Sequence, residues 1–167
     1  MDFKSIKENA VKNAIKFKNK AIDFKNKAID LSVEKVSKSS LVIKNQTELD
    51  DLILKSENKI NKNQEGEEKT FIKRVFVIFG DSKQNFFKEF LVSFPILLAK
   101  VFSQNVSFKV VDISNIQIDY SKFNLKEFPA MIIFENKEIY KIIYGEENLK
   151  KVVKSLTLDI NKTVDEL

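Results

Sequence analysis

The sequence contains no cysteine, no histidine and no tryptophan, and only three glycines and two prolines in 167 residues. Without cysteine there is no disulfide, no thiol nucleophile and no thiolate metal site. Without histidine the usual general base and the commonest metal ligand are missing. Together these absences exclude Cys-His and Ser-His-Asp catalysis and most zinc chemistry. Three glycines do not supply a phosphate-cradling loop, and no P-loop, glycosylase-like or phosphatase-like pattern occurs. No apolar run reaches the roughly 18 residues that mark a membrane-spanning helix. What the chain does have is a 43% hydrophobic content, enough for a sizeable core, with fifteen phenylalanines against three tyrosines.

The net charge of +5 is uneven. Residues 1–38 hold ten lysines against five acidic residues, while residues 39–167 hold nineteen of each sign. The surplus therefore sits in an N-terminal arm, and any electrostatic attachment is expected there.

Residues 13–32 repeat with a period of seven. Ala14, Ala21 and Ala28 align, as do Ile15, Ile22 and Ile29, and as do Phe17, Phe24 and Leu31. At about 100° per residue these columns share one broad face, with Lys16, Lys20 and Lys27 on the other side. No glycine or proline interrupts residues 1–65. The spacing predicts a basic amphipathic helix over 1–38, with Asp2 or Ser5 as N-cap and Ser37 to Ser40 at its end. Three readings of the face stand: packing on its own domain or a partner helix, an anionic membrane surface, or a targeting segment. The last fits poorly, since the arm has no arginine and has acids early. The lysines alternate with Phe and Ile at helical spacing, which builds an apolar face and not a base-stacking platform, so no nucleic acid is expected.

The body, residues 39–156, reads strand–helix–strand–helix–strand–helix–strand–strand–helix, followed by a C-terminal tail at 157–167 that is frayed or forms a last helical turn. Leu41-Val42-Ile43 is a short β-branched strand. A helix follows, with Thr47 as N-cap. Residues 58–69 are polar and read as a loop, and its acids Glu65, Glu67 and Glu68 read as solvated. Arg74 to Gly80 is a continuous apolar run of the kind found in a strand buried on both faces. Phe86 to Phe102 is an apolar helix interrupted by Pro95. Val106 to Ile113 is the next strand, Tyr120 to Leu125 a short helix, and Glu147 to Leu156 the last helix. Phe71, Phe76, Phe79, Phe102, Phe108 and Phe134 are the expected aromatic core.

Phe128-Pro129 then leads into the apolar strand Ala130 to Glu135, the turn Asn136-Lys137 and the strand Ile139 to Tyr144, ended by Gly145. This pattern resembles the second half of a thioredoxin fold, and the resemblance extends over residues 40–156. It implies an α/β three-layer sandwich with a central mixed sheet, here preceded by the N-terminal helix. It implies that Pro129 occupies the family's cis-proline position beside the active site. Phe123-Asn124-Leu125, Pro95, Asp112 and Gly145 match further family features.

The family's Cys-x-x-Cys motif is absent. Counting forward from the central strand puts Gln84-Asn85-Phe86-Phe87 in its place; counting back from Pro95 puts Phe87-Lys88-Glu89-Phe90 there. The family's buried acid corresponds to Ile78. The nearby Asp81, Ser82 and Lys83 read as a capping loop. The resemblance thus implies a non-catalytic domain used for protein binding or as a scaffold. Gln84, Asn85, Phe86, Phe87, Phe128 and Pro129 are the expected partner surface, and Ile15, Phe17, Ile22, Phe24, Ile29 and Leu31 the expected membrane or partner face of the arm. A protein partner is expected, an anionic membrane surface is the alternative, and no cofactor or metal is expected. The expected location is cytoplasmic, membrane-peripheral if the arm binds lipid, with an organellar matrix as the other alternative.

Overall fold

The computed structural model describes residues 3–62, 66–99, 106–155 and 159–167. Helix α1 (Phe3–Ser37) is followed by α2 (Gln46–Leu54), a two-stranded hairpin of β1 (Lys59–Lys62) and β2 (Glu68–Phe71), and the central strand β3 (Arg74–Gly80). Then come α3 (Asn85–Ala99), β4 (Val106–Asp112), a 3-10 turn at Ser121–Phe123, β5 (Ala130–Glu135), β6 (Glu138–Tyr144), α4 (Glu146–Ser155) and α5 (Ile160–Glu166).

The main sheet has the order β4-β3-β5-β6. β3 runs parallel to β4 and antiparallel to β5, and β5 is antiparallel to β6. Every residue of β3 is buried, as its unbroken apolar run requires. Its side chains alternate between two clusters. Phe76 and Ile78 join α1, α3, α4 and α5 on one face; Val75, Val77 and Phe79 join α2 and the 3-10 turn on the other. This is a mixed sheet between two helical layers.

The β5–β6 turn is built by Asn136 and Lys137, with φ of 52° and 70°. A two-residue hairpin turn of this kind needs both residues left-handed. Lysine is a poor fit to that region, but the turn is tied down from outside. The Asn136 N–H donates to the Ser56 carbonyl and the Lys137 N–H to Ser56 Oγ, both at 2.8 Å.

Several expectations need correction. Leu41–Ile43 forms a single parallel bridge, Val42 to Val110, and not a full strand. The N-cap of α2 is Asn45, whose side chain accepts from the Glu48 N–H, so Thr47 lies inside the helix. The polar segment 58–69 contributes to the β1–β2 hairpin, where Lys62 and Glu68 pair. Phe71 belongs to that hairpin and is exposed, not core. The short helix at 120–125 is a three-residue 3-10 turn. Asp2, Glu65 and Phe102 lie outside the described residues, and Ser5 falls inside α1 and not at a cap.

Of the two readings of the C-terminal segment, the helical one is seen: residues 160–166 form α5. α5 buries Ile160 and Val164 against the sheet. It is also held by Arg74, the only arginine in the chain. Arg74 Nε donates to Glu135 Oε2 at 2.8 Å, and Nη1 reaches Asp165 Oδ1 at 3.0 Å and Asn161 Oδ1 at 3.2 Å. Its guanidinium lies 4.2 Å from the centroid of the Tyr140 ring, and Tyr140 in turn donates to Asp165. A planar fork serves four partners here in a way that a lysine ammonium does not.

Arg74 and Glu135 are largely buried, so removing one partner strands the other charge. Arg74→Ala is expected to cost about 3 kcal/mol in urea unfolding, with Arg74→Lys recovering only part of it. A loss within about 0.5 kcal/mol of zero, the range of an ordinary surface substitution, would contradict this role for the arginine.

Candidate functional site

The ends of β3 and β4 and the start of α3 meet at one edge of the sheet. α3 begins at Asn85, so Gln84 directly precedes the helix and Asn85-Phe86-Phe87 open it. Gln84 and Asn85 are exposed. The Gln84 N–H donates to the Asp81 carbonyl, and the Asp81 carboxylate accepts the Lys83 N–H at 2.8 Å, so this loop caps itself.

Phe87 is fully buried, which removes it from the expected partner surface. The cause is Gly80, the last residue of β3. A Cβ placed on Gly80 would meet the Phe87 ring at 2.2 Å. The ring occupies the space that a side chain would need. Phe86 is half-buried; its ring stacks on Phe90 at 6.3 Å and lies 5.3 Å from Lys150 Nζ. With Glu89, Phe90, Ser93 and Val153 these residues line a shallow pocket of about 210 Å³.

The Phe128-Pro129 peptide bond is cis, and the Pro129 carbonyl accepts the Gly145 N–H at 3.0 Å. Pro129 is buried. Phe128 is half-buried, edge-on to Tyr120 at 5.5 Å. Phe86 packs with the α1/α3/α4 cluster and Phe128 with the α2 cluster, on opposite faces of the sheet. The six expected residues therefore divide. Gln84 and Asn85 are available, Phe86 and Phe128 partly so, and Phe87 and Pro129 are internal.

Sequence reasoning missed the polar core of this edge. Asp112, at the end of β4, is 1% exposed. It accepts from the Ser82 N–H at 3.1 Å, from Ser114 Oγ at 2.8 Å and from Asn115 Nδ2 at 2.6 Å. Ser82 Oγ lies 3.1 Å from Ser114 Oγ and accepts from Asn115 Nδ2 at the same distance. Burial pushes the Asp112 carboxyl up, but the bonds from Ser82, Ser114 and Asn115 outweigh it and hold the group below its ordinary value. The visible signal was an acid ending an apolar strand and followed by Ser114-Asn115. Among the described residues no buried side-chain polar atom lacks a partner, and no cluster of acidic residues is arranged to hold a metal ion. The network is closed on itself. At the family's buried-acid position, Ile78 is wholly buried and cannot exchange a proton.

The arm behaves differently from the edge. Val33 and Val36 are buried in the main cluster, with Ile29 packed against it. Lys88 of α3 pairs with Asp30 at 2.7 Å. Every described side chain from Lys12 to Ala28 is exposed. Ile15 is 53%, Ile22 46%, Phe24 78% and Leu31 62% exposed. The side chain of Phe17 lies outside the described residues. Of the five described among the six apolar arm residues singled out from sequence, Ile29 alone packs on the main cluster; the docking contact is completed by Val33 and Val36.

No protein-family model matches the sequence, and no curated protein matches it. Solved structures do. Oxidised thioredoxin from Plasmodium falciparum superposes with a TM-score of 0.50 at 17% identity, covering 71% of this chain and 99% of that one. A thioredoxin variant from Halobacterium salinarum gives 0.46 at 18% identity, covering 70% and 89%. Mitochondrial thioredoxin 3 from Saccharomyces cerevisiae gives 0.45 at 16%, covering 70% and 95%. The chain has a thioredoxin-like fold that lacks the Cys-x-x-Cys motif.

The lowered Asp112 carboxyl gives a stability term that is present above the ordinary carboxylate range and is lost as pH falls through it. Asp112→Asn is expected to destabilise the protein by about 2 kcal/mol at pH 6, by urea unfolding. The gap to wild type should narrow as pH falls below about 4, where the unfolded-state carboxyl takes up a proton while the folded one, held lower, stays ionised. A gap that stays constant across that range would show that the network does not depend on the charge.

Proposed function

We propose that this chain is a redox-silent thioredoxin-fold module that binds or scaffolds another protein and turns over no substrate. The single observation behind this reading is the state of the sheet edge where a redox thioredoxin carries its thiols. That place is filled by Phe87 wedged over Gly80 and by a satisfied Asp112 network, with only Gln84, Asn85 and part of Phe86 facing outward. A side chain packed on backbone and an acid with all its bonds made are poor sources of a nucleophile or base. An outward-facing amide pair beside a half-buried ring suits contact with an extended peptide.

Affinity capture from native extract tests the reading, with mass spectrometry comparing wild type and Phe86→Ala. A specific protein is expected with the wild type and is expected to be depleted by at least tenfold with the variant. The same preparation should reduce insulin no faster than dithiothreitol alone. Protein-dependent insulin reduction would contradict the redox-silent assignment outright.

A further inference from the structure

We propose that the free face of α1 lies on an anionic lipid surface. Phe24 and Leu31 enter the interface, and lysines line both of its edges. This rests on reading the chain as a binding module and names the occupant of its second contact surface.

The helix carries two apolar stripes, and the body covers only one. At about 100° per residue, Ile15, Ile22, Ile29, Val33 and Val36 fall along one line. The last three of these dock on the sheet's helical layer. Ala21, Phe24, Ala28 and Leu31 fall along a second line, turned well away from the first. Among the described residues, Phe24 and Leu31 are the most exposed large apolar side chains of α1. Lys18 and Lys25 border this second stripe on one side and Lys20 and Lys27 on the other. Asp23 and Asp30 fall further round the helix, where Asp30 is bound to Lys88, while Glu34 lies just beyond Lys27 and is paired with Lys38. Lysines at both edges of an apolar stripe let long stems reach phosphate headgroups while the rings sink below them.

Charge decides among occupants. A second copy of α1 laid on this stripe would bring lysine rows against lysine rows, which repels. Of Asp23, Asp30 and Glu34, Glu34 alone stands near either row, and it is paired with Lys38. An acidic helix of another protein would answer the charge, but it would cover only a narrow seam. The stripe is edged by lysines along both sides, Lys18 and Lys25 against Lys20 and Lys27, and a planar anionic surface meets both rows at once where a helix seated between them does not. No helix among the described residues is long and apolar enough to cross a membrane, so the contact is interfacial. Residues 39–167 carry no net charge, which leaves the arm to supply the attraction.

The test is co-sedimentation of the full-length protein with phosphatidylcholine vesicles, and with vesicles in which about a third of the lipid is phosphatidylserine. Binding is expected only to the second, at least tenfold weaker in about 0.5 M salt than at low salt. It should be lost in Phe24→Asp/Leu31→Asp, whose far-ultraviolet circular dichroism should match wild type because both side chains lie outside the core. Absence of wild-type binding, equal binding to neutral vesicles, or binding that survives the double variant would each overturn the proposal. Lipid-free self-association abolished by the double variant would give the face to a second copy. Capture of an acidic helical protein by this face, without vesicle binding, would give it to that partner. The double variant leaves Gln84, Asn85 and Phe86 untouched, so loss of vesicle binding and loss of the α3-edge partner are separable results.

Discussion

The placing of Val33 and Val36 of α1 under the sheet's helical layer is the contact on which the rest of the account depends. Burying two valines contributes roughly 3 kcal/mol. The adjoining Lys88–Asp30 pair is partly exposed and contributes less than about 1 kcal/mol. The apolar contact therefore sets the rotation of α1 about its axis, and the ion pair trims it. Once that rotation is fixed, the isoleucine stripe turns inward and the Phe24/Leu31 stripe must turn outward. A helix of 35 residues is roughly 52 Å long, and among the described side chains its buried contacts fall in its last third. The described side chains from Lys12 to Ala28 are exposed.

A second constraint acts at the opposite end of the chemistry. A thioredoxin-like fold places the start of the helix after the central strand at an exposed sheet edge, which suits reactive groups. In this chain the same place is closed from beneath. Gly80 lets the Phe87 ring lie directly on the strand, and Asp112 draws Ser82, Ser114 and Asn115 into one network. The loop is thereby fixed by packing and hydrogen bonds, with no thiol involved. On the neighbouring strand the Gly145 N–H donates to the carbonyl of Pro129, just before β5 begins. The fold's geometry is retained around a centre that carries no cysteine.

The fold was legible where hydrophobic pattern and turn chemistry agreed. The run Arg74–Gly80, the hairpin at Asn136-Lys137 and the seven-residue repeat of the arm all reappear as elements. Legibility failed where structure depends on partners distant in sequence. Nothing local announces that Ile160 and Val164 will find the sheet, because Arg74 lies 91 residues before Asp165. The β1–β2 hairpin was hidden because the residues of both strands are exposed, Ile60 and Phe71 included, and leave no inward face to detect. At the candidate site the sequence identified the missing thiols and the proline. It could not show that Phe86 and Phe128 pack on opposite faces of the sheet, since the two are brought near the edge by different strands. The network around Asp112 needed the third dimension for the same reason.

Because the chain has no cysteine of its own, single cysteines report cleanly on the orientation of α1. Thiol labelling of Phe24→Cys and of Val33→Cys, each in the native protein, is the most direct measurement of the central claim. Labelling of Phe24→Cys at close to the rate seen in denaturant, with Val33→Cys strongly protected, is the predicted result. Equal labelling of the two, or protection at position 24, would contradict a helix that docks by its valine stripe and presents its phenylalanine stripe.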